Sequence, residues 1–273
     1  MIQFPNAKIN LGLNIVERRP DGYHNIETAL FPIPLNDILE IVPAKGGDTT
    51  LTTYGRPVGC PPEKNLVMKA CRLMQRELGA PPVDIYLNKI IPDGAGLGGG
   101  SADAAFTMTM LNQMFGLNAG NDKLAKLAAS IGADCPFFIL NQPALATGIG
   151  DILTPLTLSL KGYRLVLVKN DSISVPTKAA YSQVTPSHSH SPIAQILAKP
   201  VETWQESLKN DFEPSVFKQF PQLAATKQEL LDQGAAYAAM SGSGSSVFGL
   251  FNSAIMADQR RLSHFGNIFE MQL

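Results

Sequence analysis

The run Pro92-Asp93-Gly94-Ala95-Gly96-Leu97-Gly98-Gly99-Gly100-Ser101 constrains this chain more than any other stretch. Five glycines fall within seven positions. Lacking a Cβ, glycine adopts left-handed backbone freely, so successive N–H groups can turn to one side. A concave run of amides is an anion site. The run opens into a helical pattern, whose first unpaired N–H groups and positive dipole end add to the attraction. Ser101 is expected at the helix cap, its hydroxyl available to a phosphate or a magnesium ion. The alternative is a glycine-rich turn with no ligand. Against it, each glycine at such a junction costs roughly 0.5–1 kcal/mol relative to alanine.

The kind of anion site can be narrowed. No Gly-Lys-Ser/Thr closes the run, so it is not a Walker loop. Gly94, Gly96 and Gly99 satisfy GxGxxG, but a dinucleotide site needs a second strand ending in an acidic residue about 20 positions on. That region reads Leu117-Asn-Ala-Gly-Asn-Asp122, which is loop-like.

Around this run the hydrophobic pattern predicts a mixture of elements. Ile9, Leu11, Leu13 and Ile15 alternate with Lys8, Asn10, Gly12 and Asn14, predicting a strand with one buried and one polar face. Further strands are expected near 25–33, 37–42, 49–54, 83–87, 163–168, 237–240, 247–251 and 267–272. Helices are expected over 65–78, 101–115, 122–131 (stopping at Gly132), 192–198, 221–233 and 254–263. Segment 185–193 is polar and proline-flanked, a surface loop by composition. Strands and helices mix without βαβ alternation, which favours α+β over a doubly wound sheet.

Composition excludes several classes. The 273 residues carry a net charge of −1, so no global basic field recruits nucleic acid. No apolar stretch is long enough to cross a bilayer. No basic leader precedes an apolar run at the N-terminus, and the three cysteines, Cys60, Cys71 and Cys135, lack metal or disulfide spacing; a reducing cytoplasm is expected. His188 and His190 form His-x-His without an evident third ligand and read as solvated histidines. Cys135 reads as a packed thiol.

Three more segments join the glycine run: Pro5-Asn-Ala-Lys-Ile-Asn-Leu11, Gly132-Ala-Asp-Cys-Pro-Phe-Phe138 and Ser241-Gly-Ser-Gly-Ser-Ser-Val-Phe248. Together they resemble the GHMP kinase superfamily (galactokinase, homoserine kinase, mevalonate kinase and relatives) over nearly the whole chain. Asp21-Gly-Tyr-His24 and Gly132 to Phe137 point to the branch that phosphorylates the 2-hydroxyl of a cytidine diphosphate-linked methylerythritol. The resemblance implies a two-domain α+β fold with the active site in the inter-domain cleft. An N-terminal, ATP-binding domain is expected over 1–155 and a C-terminal domain over 156–273. It also implies ATP as phosphate donor, with Mg²⁺ as its counter-ion.

Residue roles follow the motifs. Phosphoryl transfer needs positioning and charge stabilisation. Lys8 and Asp134 are the catalytic candidates, the carboxylate to orient the hydroxyl and take its proton, the ammonium to stabilise negative charge. Alternation alone reads Lys8 as a solvated strand lysine, and Asp134 alone reads as a helix cap. The resemblance assigns ATP to the run from Pro92 to Ser101 with Ala102 behind it, and the adenine side to Asn65 and Leu66, although Leu66 alone reads as core. Asp93 is acidic where many relatives are uncharged, which leaves its direction open. Asn10 shares a strand face with Lys8 and is a substrate candidate. Tyr23 and His24 are candidates for stacking on and bonding to a cytosine ring, with Tyr181 closing its other side and Thr177 as a further contact. A smaller alcohol such as homoserine or mevalonate is the alternative acceptor. A non-catalytic ligand-binding protein on the same fold is the alternative class.

Overall fold

The computed structural model describes residues 1–181, 184–187 and 191–273. The chain opens with β1 (Ile2–Gln3), β2 (Asn6–Arg18), β3 (His24–Asn36), β4 (Ile38–Pro43), β5 (Thr50–Gly55), α1 (Leu66–Leu78) and β6 (Val83–Lys89). After the glycine run come α2 (Gly99–Met114), α3 (Asn121–Ala129), α4 (Cys135–Leu140), β7 (Ala144–Thr147) and β8 (Ile152–Pro155). Then follow β9 (Tyr163–Lys169), α5 (Thr177–Tyr181), α6 (Ile193–Leu197), α7 (Trp204–Ser207), α8 (Glu213–Gln219) and α9 (Pro221–Asp232). The last elements are β10 (Tyr237–Met240), β11 (Ser246–Asn252), α10 (Gln259–Leu262) and β12 (Asn267–Gln272). Two compact units interleave along the chain. One holds Met1–Ala7, Leu35–Asp93 and Gly98–Gln142; the other holds Lys8–Pro34, Gly94–Leu97 and Pro143–Leu273.

The first unit carries a sheet in the order β1-β4-β6-β5, in which β5 runs parallel to β6 and the other pairs are antiparallel. Val83, Ile85 and Leu87 of β6 point inward and Tyr86 outward, as period-two alternation requires. Helix α1 buries Val67, Ala70, Cys71, Leu73 and Met74, packs on α2 and ends at Gly79 in left-handed conformation. Lys89, at the inward-facing end of β6, is buried between Asp37 and Asp103. Its Nζ donates to Asp37 Oδ2 and, at 2.6 Å, to Asp103 Oδ2. Asp37 Oδ1 accepts the N–H of Ile90 and, at 2.8 Å, that of Ile91. This trio therefore fixes the strand end leading into the glycine run and the helix leading out of it.

The second unit contains two four-stranded sheets, β2-β3-β7-β8 and β10-β11-β9-β12. Its core joins Leu13 and Ile15 of β2 to Val166 and Val168 of β9, Met240 of β10 and Phe251 of β11, covered by Phe212, Leu223 and Leu230.

Four expectations are corrected. Strand β2 does not present its polar face to water: Lys8, Asn10 and Asn14 are buried like the apolar face, and the loop carbonyl of Gly96 and the Thr28 hydroxyl supply polar partners to Lys8 and Asn10. Helix α2 starts at Gly99 with Gly98 as its N-cap, so Ser101 lies inside the first turn and not at the cap. Helix α3 is capped at Ser130, before Gly132. The helix expected over 254–263 is only α10, because Asn252 closes a turn on Ile255 and Asp258 caps the helix start through the N–H groups of Arg260 and Arg261. Among the described residues no helix is long and apolar enough to cross a membrane.

Candidate active site

Gly94, Gly96 and Gly98 have φ of +59°, +75° and +71°, whereas Ala95 and Leu97 do not enter positive φ. Such alternation turns successive N–H groups to a common side. The carbonyls go the other way, into the second unit. Ala95 O accepts from Ser246 N–H at 3.2 Å and Leu97 O from Lys8 N–H at 2.9 Å. Gly96 O accepts from the Lys8 ammonium at 3.1 Å and the Ser241 hydroxyl at 2.8 Å. Gly99 and Gly100 belong to the first turn of α2, where Gly99 is tight: a Cβ would meet Ile91 Cγ2 at 2.8 Å.

Lys8 is only 4% exposed. Its Nζ also donates to Asn10 Oδ1 at 2.7 Å, and Asn10 Nδ2 donates to Thr28 Oγ1 at 3.0 Å. Asn10 N–H donates to Ser241 Oγ at 3.2 Å. The Ser241 to Ser246 loop thus lies directly on the glycine run: a Cβ on Gly242 would meet Asn10 Oδ1 at 3.2 Å and Gly96 Cα at 3.6 Å. Thr28 lies outside every sequence motif, whereas Ser241 opens the Ser-Gly-Ser-Gly-Ser-Ser segment. Thr28 is one polar residue in an otherwise ordinary strand, and only the register of β2 against β3 brings it to Asn10.

In the first unit, Asp134 occupies the N-cap position of α4 but makes no capping hydrogen bond. Capping therefore does not account for its carboxylate. Cys135 beside it is buried, and burial pushes its thiol up to about 11, with Asp134 adding to the shift against a hydrogen bond from Ser101. A thiol so protonated is no nucleophile. Asn65 caps α1, its Oδ1 accepting Val67 N–H at 2.9 Å. Leu66 is half-buried, and a Cβ on Gly100 would lie 3.7 Å from its Cδ1. Pro92 is buried and Asp93 exposed; a Cβ on Gly59 would lie 3.8 Å from Asp93 Oδ2, which places that carboxylate toward the 59 loop. Ala102 is buried, its N–H donating to Gly98 O at 2.9 Å.

The aromatic candidates lie in the second unit. Asp21-Gly22-Tyr23 forms the turn between β2 and β3, with Gly22 at φ +87° and Asp21 Oδ1 accepting Tyr23 N–H at 3.1 Å. The Arg19 guanidinium holds the Asp21 carboxyl below its usual range. Tyr23 is 61% exposed. His24 stacks on Tyr181 with centroids 5.0 Å apart, and Tyr181 and Phe212 meet at right angles with centroids 4.8 Å apart. Burial, then the Arg18 charge, holds His24 below its ordinary value, so the ring is neutral near pH 7. Thr177 opens α5 and its hydroxyl lies 3.2 Å from that of Ser243. His188 and His190 lie outside the described residues.

Comparison with known proteins gives the same direction. Residues 65–142 match the family model for the GHMP kinases N terminal domain, and residues 193–267 the model for the GHMP kinases C terminal. The 4-diphosphocytidyl-2-C-methyl-D-erythritol kinase of Bacteroides fragilis is 55% identical over 254 residues, covering 92% of each chain. The enzyme of the same name from Parabacteroides distasonis is 52% identical over 273 residues, covering 100% of each. A crystal structure of 4-(cytidine 5'-diphospho)-2C-methyl-D-erythritol kinase superposes with a TM-score of 0.84 at 33% identity, covering 99% of this chain and 98% of its own. The chain therefore belongs to the GHMP kinases and, within them, to the 4-diphosphocytidyl-2-C-methyl-D-erythritol kinase family.

Proposed function

We propose that the protein transfers the γ-phosphoryl group of ATP to the 2-hydroxyl of 4-diphosphocytidyl-2-C-methyl-D-erythritol, giving the 2-phosphate and ADP, a step of non-mevalonate isoprenoid precursor synthesis. The observation that carries this reading is the buried Lys8 ammonium, bonded to the Gly96 carbonyl inside the glycine run. A fixed cation there meets the charge that develops on the transferring group.

The roles divide as follows. The N–H groups of the glycine run hold the triphosphate, with Asn65 and Leu66 on its adenine side. Asp134 orients the acceptor hydroxyl and takes its proton as the new P–O bond forms and the bond to ADP breaks. Tyr23 offers a ring face and His24 a polar edge to cytosine; Tyr181, expected to close the other side of the base, instead stacks on His24 and backs that ring, and Asn10 and Thr177 offer polar contacts. Among the described residues no group of three or more His, Cys, Asp or Glu is arranged to hold a metal. A magnesium ion would be carried on the phosphates themselves, since Mg²⁺ keeps phosphate and water oxygens and takes few protein ligands. The Ser101 hydroxyl in the first turn of α2 is its protein-side candidate. A boundary between the two family domains near residue 155 keeps both matched regions whole. The protein works in the cytoplasm on a small-molecule substrate.

A coupled ADP-release assay over an acceptor panel tests the reading. Turnover with the cytidine diphosphate compound and none with mevalonate or homoserine is the expected pattern. Turnover with a small alcohol alone overturns the substrate assignment.

A further inference from the structure

The segment Asn210-Asp211-Phe212-Glu213, a polar pair, an aromatic and an acid, leads into α8, whose first residue is Glu213; Asn210, Phe212 and Glu213 are buried. Buried polar side chains are costly unless paired, so their partners show what they hold in place. Asn210 is 2% exposed and satisfied on both sides of its amide. Its Nδ2 donates to Met240 O and Gly242 O, each at 2.8 Å, and its Oδ1 accepts Phe212 N–H at 3.0 Å. Glu213 Oε1 accepts Met240 N–H at 2.9 Å, while its Oε2 pairs with Lys227 at 2.6 Å. The Met240 residue is thereby held at its N–H by Glu213 and at its carbonyl by Asn210. Asp211 Oδ2 accepts Ile15 N–H at 2.7 Å, and the Asp211 N–H donates to Leu13 O at 2.9 Å, so the same segment grips the strand that carries Lys8.

Ser241 sits between the two carbonyls that Asn210 binds. Its hydroxyl donates to Gly96 O and accepts from Asn10 N–H, and Gly96 O also takes the Lys8 ammonium. We propose that Asn210 is a positioning residue for phosphoryl transfer: through the Met240 and Gly242 carbonyls it sets the Ser241 hydroxyl, which sets the Gly96 peptide and with it Lys8. Asn210 touches none of these directly and acts only through the loop. The inference rests on the kinase reading above for its kinetic arm, but its binding arm does not depend on the acceptor. Rate is sensitive to such support because a misplacement of about 1 Å costs about 100-fold.

The test compares Asn210→Asp, Ser241→Ala and Leu230→Val with the wild type, in full-length protein. Asn210→Asp keeps the acceptor for Phe212 N–H but replaces both donors with carboxylate oxygen facing carbonyls. Ser241→Ala breaks the same path one step further on with little threat to folding. Leu230→Val lowers stability in the α9 core without touching the path. Four quantities are read: the Kd of a non-hydrolysable ATP analogue by calorimetry, kcat and the two KM values. Both path variants are expected to lower kcat by about tenfold or more and weaken the analogue about threefold, with acceptor KM within about twofold. Leu230→Val is expected to leave all four unchanged at a temperature where it is folded. Protonation of the introduced Asp restores one donor, so the kcat of Asn210→Asp relative to wild type is expected to rise as pH falls. Should Asn210→Asp not fold, Asn210→Ala, which removes both donors to the loop carbonyls without adding a charge, takes its place, with Ser241→Ala as the reference for a broken path. Path variants that bind the analogue and turn over like Leu230→Val overturn the proposal. A wild type that binds the analogue but phosphorylates no acceptor overturns the kinase reading instead, and the analogue affinities then decide the role of Asn210.

Discussion

The Ser241 hydroxyl donates to the Gly96 carbonyl at 2.8 Å, and the two backbones approach so closely that a Cβ on Gly96 would lie 2.0 Å from Ser241 O. Gly96 also stands at φ +75°, where an L side chain is strained by about 1–2 kcal/mol before any clash. Gly96→Ala is expected to lose at least about 2 kcal/mol of stability and most ATP affinity. Gly46→Ala, where a Cβ meets nothing within 4 Å, is the matched control. Denaturant midpoints and ATP KM for the two variants check this; equal behaviour would contradict it.

Asp134 stands at the N-cap position of α4 and makes no capping hydrogen bond there. Asp134→Ala is expected to lower kcat by about 100-fold or more, the usual worth of a positioned base. The affinity for an ATP analogue should stay within about twofold of wild type, about 0.4 kcal/mol. Kinetics and calorimetry on one preparation separate the two; a parallel loss of nucleotide affinity would place Asp134 on the donor side instead.

Tyr181 lies between His24 and Phe212, with one ring face on His24. An aromatic pairing contributes about 0.5–1.5 kcal/mol beyond area, so Tyr181→Ala is expected to raise acceptor KM about tenfold with kcat little changed. Tyr181→Phe keeps the ring and should stay within about twofold. If the phenylalanine variant loses as much as the alanine variant, the hydroxyl and not the ring face is what matters.

Lys89 serves two buried carboxylates at once. Burial, reinforced by the charge of Asp37 and opposed by Lys89, pushes Asp103 up to about 7 from 3.8. Burial alone would lower Lys89, but the two carboxylates outweigh it and hold the ammonium above its ordinary value. A carboxyl raised on folding binds its proton more tightly in the native state. Its stabilising contribution is therefore full below about 4 and is lost as pH rises toward about 7. Asp103→Asn removes that titration and leaves Lys89 paired with Asp37. Urea unfolding of both proteins at several pH values should show the wild type losing stability relative to the variant across that window, then running parallel above it. Parallel curves throughout would contradict the shift.

Local pattern carried much of the fold. Helix α1 and strand β6 were legible because their apolar residues recur at one period and Asn65 and Gly79 mark the helix ends. The glycine run was legible because positive φ at Gly94, Gly96 and Gly98 is a demand that few other residues meet. What alternation could not say is whether a polar face meets water or protein. Lys8 and Asn10 fell on the predicted side of β2, and only the partners Thr28 and Gly96 make that side buried. The trio Asp37, Lys89 and Asp103 and the segment from Asn210 to Glu213 were silent for the same reason, since their contacts join residues far apart in sequence. Helix α4 is too short for periodicity to register, and α10 is shortened by side-chain capping at Asp258, where composition alone suggested a longer helix.

The most direct test follows the phosphorus. ATP, Mg²⁺ and 4-diphosphocytidyl-2-C-methyl-D-erythritol are incubated with the protein and observed by ³¹P NMR. The account predicts the β-phosphate resonance of ADP and, in equal amount, a new phosphomonoester coupled to the 2-position of the methylerythritol, with both signals growing at least about 100-fold more slowly when Lys8→Ala or Asp134→Ala replaces the wild type. Inorganic phosphate without a phosphomonoester, or a phosphomonoester formed equally well by those two variants, would contradict it.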